Sequence, residues 1–189
     1  MISKLLKIIF LITLIILFFS FFLETDNKNI FSITLNENNI SCNYKLNFKF
    51  SQSFIDLLYF NNQAEIVYYI LLVKKISGPI INQDQKVMDI KYQYFLSYKN
   101  DKNIFTLYSS KEYYESNSMS KVLEIINNME IDNVFKLEKE GKYFCSSDIS
   151  ITSLAPISPA LFFLFLFYNP YNMKISNLVS NIISYEISK

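Results

Sequence analysis

CNYKLNFKF, from Cys42 to Phe50, is the stretch whose reading decides the fold. Cys42, Tyr44, Leu46, Phe48 and Phe50 alternate with Asn43, Lys45, Asn47 and Lys49. A period of two puts the first set on one face of a β-strand and the second set in water. A strand with one wet side belongs to an antiparallel sheet. Just before it, Ile30 to Leu35 is a short β-rich run, and Asn36-Glu37-Asn38-Asn39 reads as the turn of a hairpin joining the two.

The same period returns twice downstream. Met88, Ile90, Tyr92, Tyr94, Leu96 and Tyr98 alternate with Asp89, Lys91, Gln93 and Ser97 inside Val87 to Lys99. Asn100 to Asn103 then forms a turn, and Ile104 to Tyr108 returns as the partner strand. Tyr143, Cys145, Ser147, Ile149 and Ile151 share one face of a strand that follows Gly141. Ile66 to Val73, nearly continuous in β-branched and aromatic residues, suits a central strand. Lys74 to Gln85, which holds Gly78-Pro79, reads as a connection, and Lys111 to Ser118 as a loop.

Two segments carry helical spacing. Phe54, Leu57 and Leu58 follow Ser51 and Ser53, either of which suits an N-cap. Val122, Ile125, Ile126 and Met129 lie on one side of Ser120 to Met129. With glycine only at Gly78 and Gly141, tight turns fall to asparagine and aspartate, which tolerate positive φ best after glycine. Ala160 to Tyr168, bounded by Pro156, Pro159 and Pro170, is too short to span a bilayer as a helix and reads as a strand buried on both faces. Ile175 to Ile187 fits a helix through Ile175, Leu178, Val179 and Ile182, and a strand through Ile183, Tyr185 and Ile187. The expected class is mainly β, with α+β at its margin: an antiparallel β-sandwich-like domain with two short helices.

Ahead of this domain stands IIFLITLIILFFSFFL, from Ile8 to Leu23. Lys4 and Lys7 precede it, and Glu24 and Asp26 follow it. Sixteen residues at 1.5 Å each cover about 24 Å, short of a hydrocarbon core of about 30 Å. Starting at Leu5, with Lys7 snorkelling to the headgroups, closes most of that gap. Leu5, Lys7, Ile8, Phe10, Leu14, Leu17, Phe21 and Leu23 then mark one transmembrane helix, whose lysines stay in the cytoplasm while the acidic flank crosses. A cleaved secretory signal competes, since the run is near signal length. Such a signal ends in small residues, whereas this run ends Phe21-Phe22-Leu23-Glu24-Thr25. The expected organisation is an uncleaved anchor over residues 1–24 and an extracytoplasmic β-rich domain over 25–189, the bilayer being the anchor's partner.

Composition narrows the chemistry. The chain has a net charge of +1, no histidine and no tryptophan, and all 18 of its basic residues are lysine. Those lysines are scattered among matching carboxylates rather than gathered into a basic stripe, so a nucleic-acid partner is set aside. Without histidine, Ser-His-Asp and Cys-His catalysis are excluded, as are zinc sites with imidazole ligands. Two glycines are too few for a phosphate-binding loop. Carboxylates at Glu130 and Asp132, at Glu138 and Glu140, and at Asp84 and Asp89 lack the spacing of a calcium loop and read as solvated charge. Neither a cofactor nor a metal is expected.

Cys42 and Cys145 both fall on the apolar faces of expected strands. In an exported domain they suit a disulfide; more usually, buried cysteines serve as small core residues. Tyr68, Tyr69, Tyr92, Tyr94 and Tyr98 suit either a groove for lipid, glycan or extended peptide, or the ordinary packing of a sheet.

With the elements placed, their order resembles DUF4390, a family of uncharacterised bacterial envelope proteins. The resemblance rests on Tyr94-Phe95-Leu96-Ser97-Tyr98 followed by a turn and Ile104 to Tyr108. The helix near Val122 to Met129, then Leu137 to Tyr143 and the proline-flanked Leu154 to Leu161, fall in the same order. The chain departs from the family pattern in lacking C-terminal tryptophans and in having Asn61-Asn62 where glycine is usual. The resemblance implies an envelope address and a fold, and no activity. The sequence therefore favours a non-enzymatic binding or structural module facing the periplasm from the inner membrane, with another envelope protein as partner. A lipid or glycan carrier and a Ser-Lys envelope hydrolase are the competing expectations.

Overall fold

A computed structural model describes residues 29–60, 63–77, 82–154 and 172–187. The expected anchor, Leu5 to Leu23, and the apolar run Ala160 to Tyr168 lie outside the described residues. Among the described residues, no helix is long and apolar enough to cross a membrane.

Among the described residues the fold is mainly β, built from antiparallel strands with two short helices. The smaller sheet has the order β1-β2-β7, from Ile30–Asn36, Asn39–Lys45 and Glu130–Lys136. The larger sheet, which curls into a half-barrel, is centred on β3 (Gln63–Ser77). On one side of β3 lie β4 (Asn82–Lys99), β5 (Ile104–Tyr108) and β6 (Tyr113–Ser116) in turn. On the other side lies β8 (Gly141–Ser153), whose far edge takes β10 (Ile183–Tyr185) at its start and β9 (Asn172–Val179) further along.

The inner faces of the two sheets meet. Phe31, Ile33, Ile40, Cys42 and Tyr44 of the smaller sheet are buried against Ile66, Tyr68, Ile70, Leu72, Tyr143, Cys145 and Ile149 of the larger. Each large aliphatic side chain so buried contributes about 1.5–3 kcal/mol. The polar atoms inside are paired. The hydroxyls of Tyr44 and Ser147 lie 2.8 Å apart across the two sheets, and the Tyr68 hydroxyl donates to the Ile126 carbonyl at 3.1 Å. That carbonyl belongs to the last turn of α2 (Met119–Asn127), where the helix itself supplies no donor. The first helix, α1 (Gln52–Tyr59), is capped by Ser51, whose hydroxyl accepts from the Phe54 N–H at 3.2 Å. It buries Phe54 and Leu58, with Phe54 stacked on Phe50 at 4.5 Å.

Two asparagine side chains act as substitute strand partners. Asn181 accepts from the Ile33 N–H at 2.8 Å and donates to its carbonyl at 3.1 Å, on the outer edge of β1. Asn127 does the same for Phe48, at 3.2 and 3.0 Å.

Several sequence expectations need correction. The alternation from Cys42 to Phe50 continues in burial, but β2 ends at Lys45. Beyond it the backbone partner is the chain leaving α2: Tyr44 N–H bonds to Met129 and Leu46 N–H to Asn127. Lys74 to Gln85 is not a simple connection. Lys74–Ser77 and Asn82–Gln85 extend the β3–β4 hairpin into solvent, where polar residues suit both faces and no hydrophobic period remains. Lys111 to Ser118 contains β6, an edge strand with three exposed residues in its pattern. Ile175 to Ile187 is two strands, not a helix. Positive φ falls at Asn103, in a turn as expected; it also falls at Asn133 and Asn177, which lie inside β7 and β9 rather than in turns, and at Glu37 in the first hairpin.

Candidate functional site

The long strand β4 is paired unevenly. Its whole length runs beside β3, but β5 joins it only from Phe95 to Lys99. Among the described residues, no strand pairs with the other edge of Asn82 to Tyr94. About half of the main-chain N–H and C=O groups of those residues therefore point away from β3. Glu130, Ile131 and Asp132 of β7, the edge strand of the smaller sheet, border the same place.

A groove of about 570 Å³ lies between them. Ile90, Tyr92 and Tyr94 of β4 form one wall and Ile131 of β7 the other. Glu112, Glu130, Asp132, Lys91 and Lys111 stand around it. The Tyr94 hydroxyl donates to Glu112 at 2.9 Å, tying the loop between β5 and β6 to the wall of the groove. Burial, and then the neighbouring Glu112 carboxylate, push the Tyr94 hydroxyl pKa upward, so it remains a donor. On the outer face of β4, Glu65 accepts from Gln93 at 2.5 Å and meets Lys91 at 3.4 Å.

The open edge carries features that discourage indiscriminate pairing. Asp84, Lys86, Asp89 and Lys91 place charge along it, and Val87 is an extra residue between Lys86, opposite Val73, and Met88, opposite Leu72. Asp89 is held below the usual carboxylate range, first by the Tyr69 hydroxyl at 2.5 Å and then by Lys86 at 3.0 Å.

The structure distributes the residues singled out from sequence. Cys42 and Cys145 come together in the core as free thiols. The tyrosines are not gathered into one groove. Tyr68 is buried, Tyr92 and the largely buried Tyr94 line the groove, Tyr69 is exposed on the opposite face, and Tyr98 packs on Tyr59 and Phe105. Glu130 and Asp132 border the groove, whereas Glu140 accepts from the Ile187 N–H. Among the described residues, no three of His, Cys, Asp and Glu are placed to hold a metal ion. Ser147, the most deeply buried serine among the described residues, has its hydroxyl on Tyr44, and Lys74 has its ammonium on the Glu140 carbonyl. The open edge itself was missed from sequence. Alternation reveals which way side chains point and carries no signal for whether a neighbour strand is present.

No family model matches the chain, and no curated protein or solved structure matches it either. Function is therefore argued from the chain's own residues.

Proposed function

We propose that this chain is a single-pass protein of the inner membrane whose β-sandwich-like domain faces the periplasm as a non-enzymatic binding module. Its occupant is an extended segment of another envelope protein, added as a strand beside β4. The carrying observation is the edge from Asn82 to Tyr94, which no strand pairs among the described residues, next to a groove lined by Ile90 to Phe95 of that strand. Main-chain hydrogen bonds to the edge supply affinity, each worth a net of about 0.5–1.5 kcal/mol. Pockets for alternate side chains supply selectivity. Ile90 and Tyr92 suit apolar side chains of the incoming strand, and Lys91 with Glu65 suits polar ones on its other face. The apolar run Ile8 to Leu23 supports the membrane tether, and the resemblance to DUF4390 points to the same address.

Photo-crosslinking in intact cells tests the reading. A photoreactive residue at Asp84, Lys86 or Met88 is expected to capture a discrete protein from solubilised membranes, while one at Lys121 on α2 captures none. Equal yields at edge and control positions, or recovery of only the lone monomer, would refute it.

A further inference from the structure

We propose that Cys42 and Cys145 form a disulfide that fastens the two sheets to each other through the middle of the core. β2 and β8 present their inward residues in matching order, Cys42 then Tyr44 and Cys145 then Ser147. The 2.8 Å contact between the Tyr44 and Ser147 hydroxyls fixes the spacing of the strands two residues from the sulfurs. Cys42 and Cys145 belong to the same core cluster, and both residues are 0 % exposed. From such a placement, adjustment about the Cα–Cβ bonds brings the sulfurs to the bonding distance of about 2.05 Å. Burial without a bond leaves two weak donors facing each other; the bond removes both.

In the closed fold both cysteines are 0 % exposed, out of reach of a bulky oxidant, and the Cys145 thiol and burial push the Cys42 thiol above its ordinary value. The bond therefore forms before the sheets close. One cysteine thiolate attacks a disulfide oxidant, either glutathione disulfide or a disulfide-bearing oxidoreductase, giving a mixed disulfide and one released thiol. The second cysteine thiolate then attacks the chain's own sulfur in that mixed disulfide and releases the second thiol. The two cysteine protons end on the released thiols, and two electrons pass to the oxidant. The pairing is argued from the facing of β2 and β8 and the Tyr44–Ser147 contact beside the cysteines, and its occurrence in cells rests on the exported address proposed above.

The test uses the full-length chain in detergent, refolded from denaturant in a mixture of glutathione and glutathione disulfide. A monomer lighter by two hydrogen atoms is expected, yielding a cross-linked peptide pair that contains Cys42 and Cys145. Reduction should lower its Tm by about 10 °C, as befits a closed loop spanning some 100 residues. The Cys145→Ser variant should show no dependence of Tm on reductant. Two free thiols, glutathione adducts or inter-chain dimers in the refolded wild type overturn the pairing, whether or not the variant folds. A second arm traps thiols by alkylation in intact cells. A bridged pair there supports both proposals, whereas free thiols in cells beside a bridge in the refolded chain overturn the exported address alone.

Discussion

Tyr44 and Ser147 allow the contact between the sheets to be weighed with three variants. Their hydroxyls are 2.8 Å apart, and the residues are 2 % and 1 % exposed, so water does not replace a lost partner. Tyr44→Phe keeps the ring, stacked on Phe31 at 4.7 Å and tilted against Tyr68 at 5.1 Å, and removes only the oxygen. Ser147 is then buried without that partner, a loss of about 1–3 kcal/mol. Ser147→Ala leaves the Tyr44 hydroxyl in the same position, with a similar loss expected. The double variant removes both polar groups and should be less destabilised than the two losses added together, with a coupling of about 1 kcal/mol. Urea unfolding followed by far-UV circular dichroism reads this directly. With a slope of about 2 kcal/mol per molar urea, each single variant lowers the midpoint by about 0.5–1.5 M. Losses that add to within about 0.3 kcal/mol would show that the two hydroxyls do not act as a pair, and would refute this account of how the sheets are joined.

Ser51→Ala removes the oxygen that caps α1 and should reduce stability by about 1 kcal/mol; Ser51→Asp should retain most of it, both read in the same urea titration. Burial raises the phenol pKa of Tyr44 and Tyr68 far above the ordinary 10.0, so the folded state holds protons that the unfolded chain releases. Their contribution is fully present below pH 10 and is lost as pH rises further. Alkaline titration should therefore show these two phenols ionising together with unfolding, by ultraviolet difference absorbance against circular dichroism. Ionisation of every tyrosine ahead of any loss of structure would contradict the burial.

What could be read from sequence was whatever a single strand or helix reveals about itself. Cys145, Ser147, Ile149 and Ile151 alternate because β8 has one face on the core, and the structure keeps that face. Ser51 and Ser53 both suited a helix start, and Ser51 serves as the cap. Gln83 to Lys86 gave no signal because a hairpin projecting into water needs no apolar face. The strand β7 was passed over as loop charge, since Glu130, Asp132 and Asn133 interrupt its buried Ile131, Val134 and Phe135, and Asn133 adopts a positive φ. The groove was hidden for a different reason. Its walls come from residues some 40 positions apart in the chain, and their meeting depends on sheet order, which periodicity does not encode.

The grip of Asn181 on Ile33 has a mechanical consequence. A pull arriving from the amino-terminal side enters at Ile30, three residues before that grip. Held by β2 on one flank and by a side-chain amide on the other, the first strand resists peeling like a zipper whose slider is pinned. Load is thereby passed to the segment between β9 and β10, so that the two ends of the domain share the strain of whatever tugs on it.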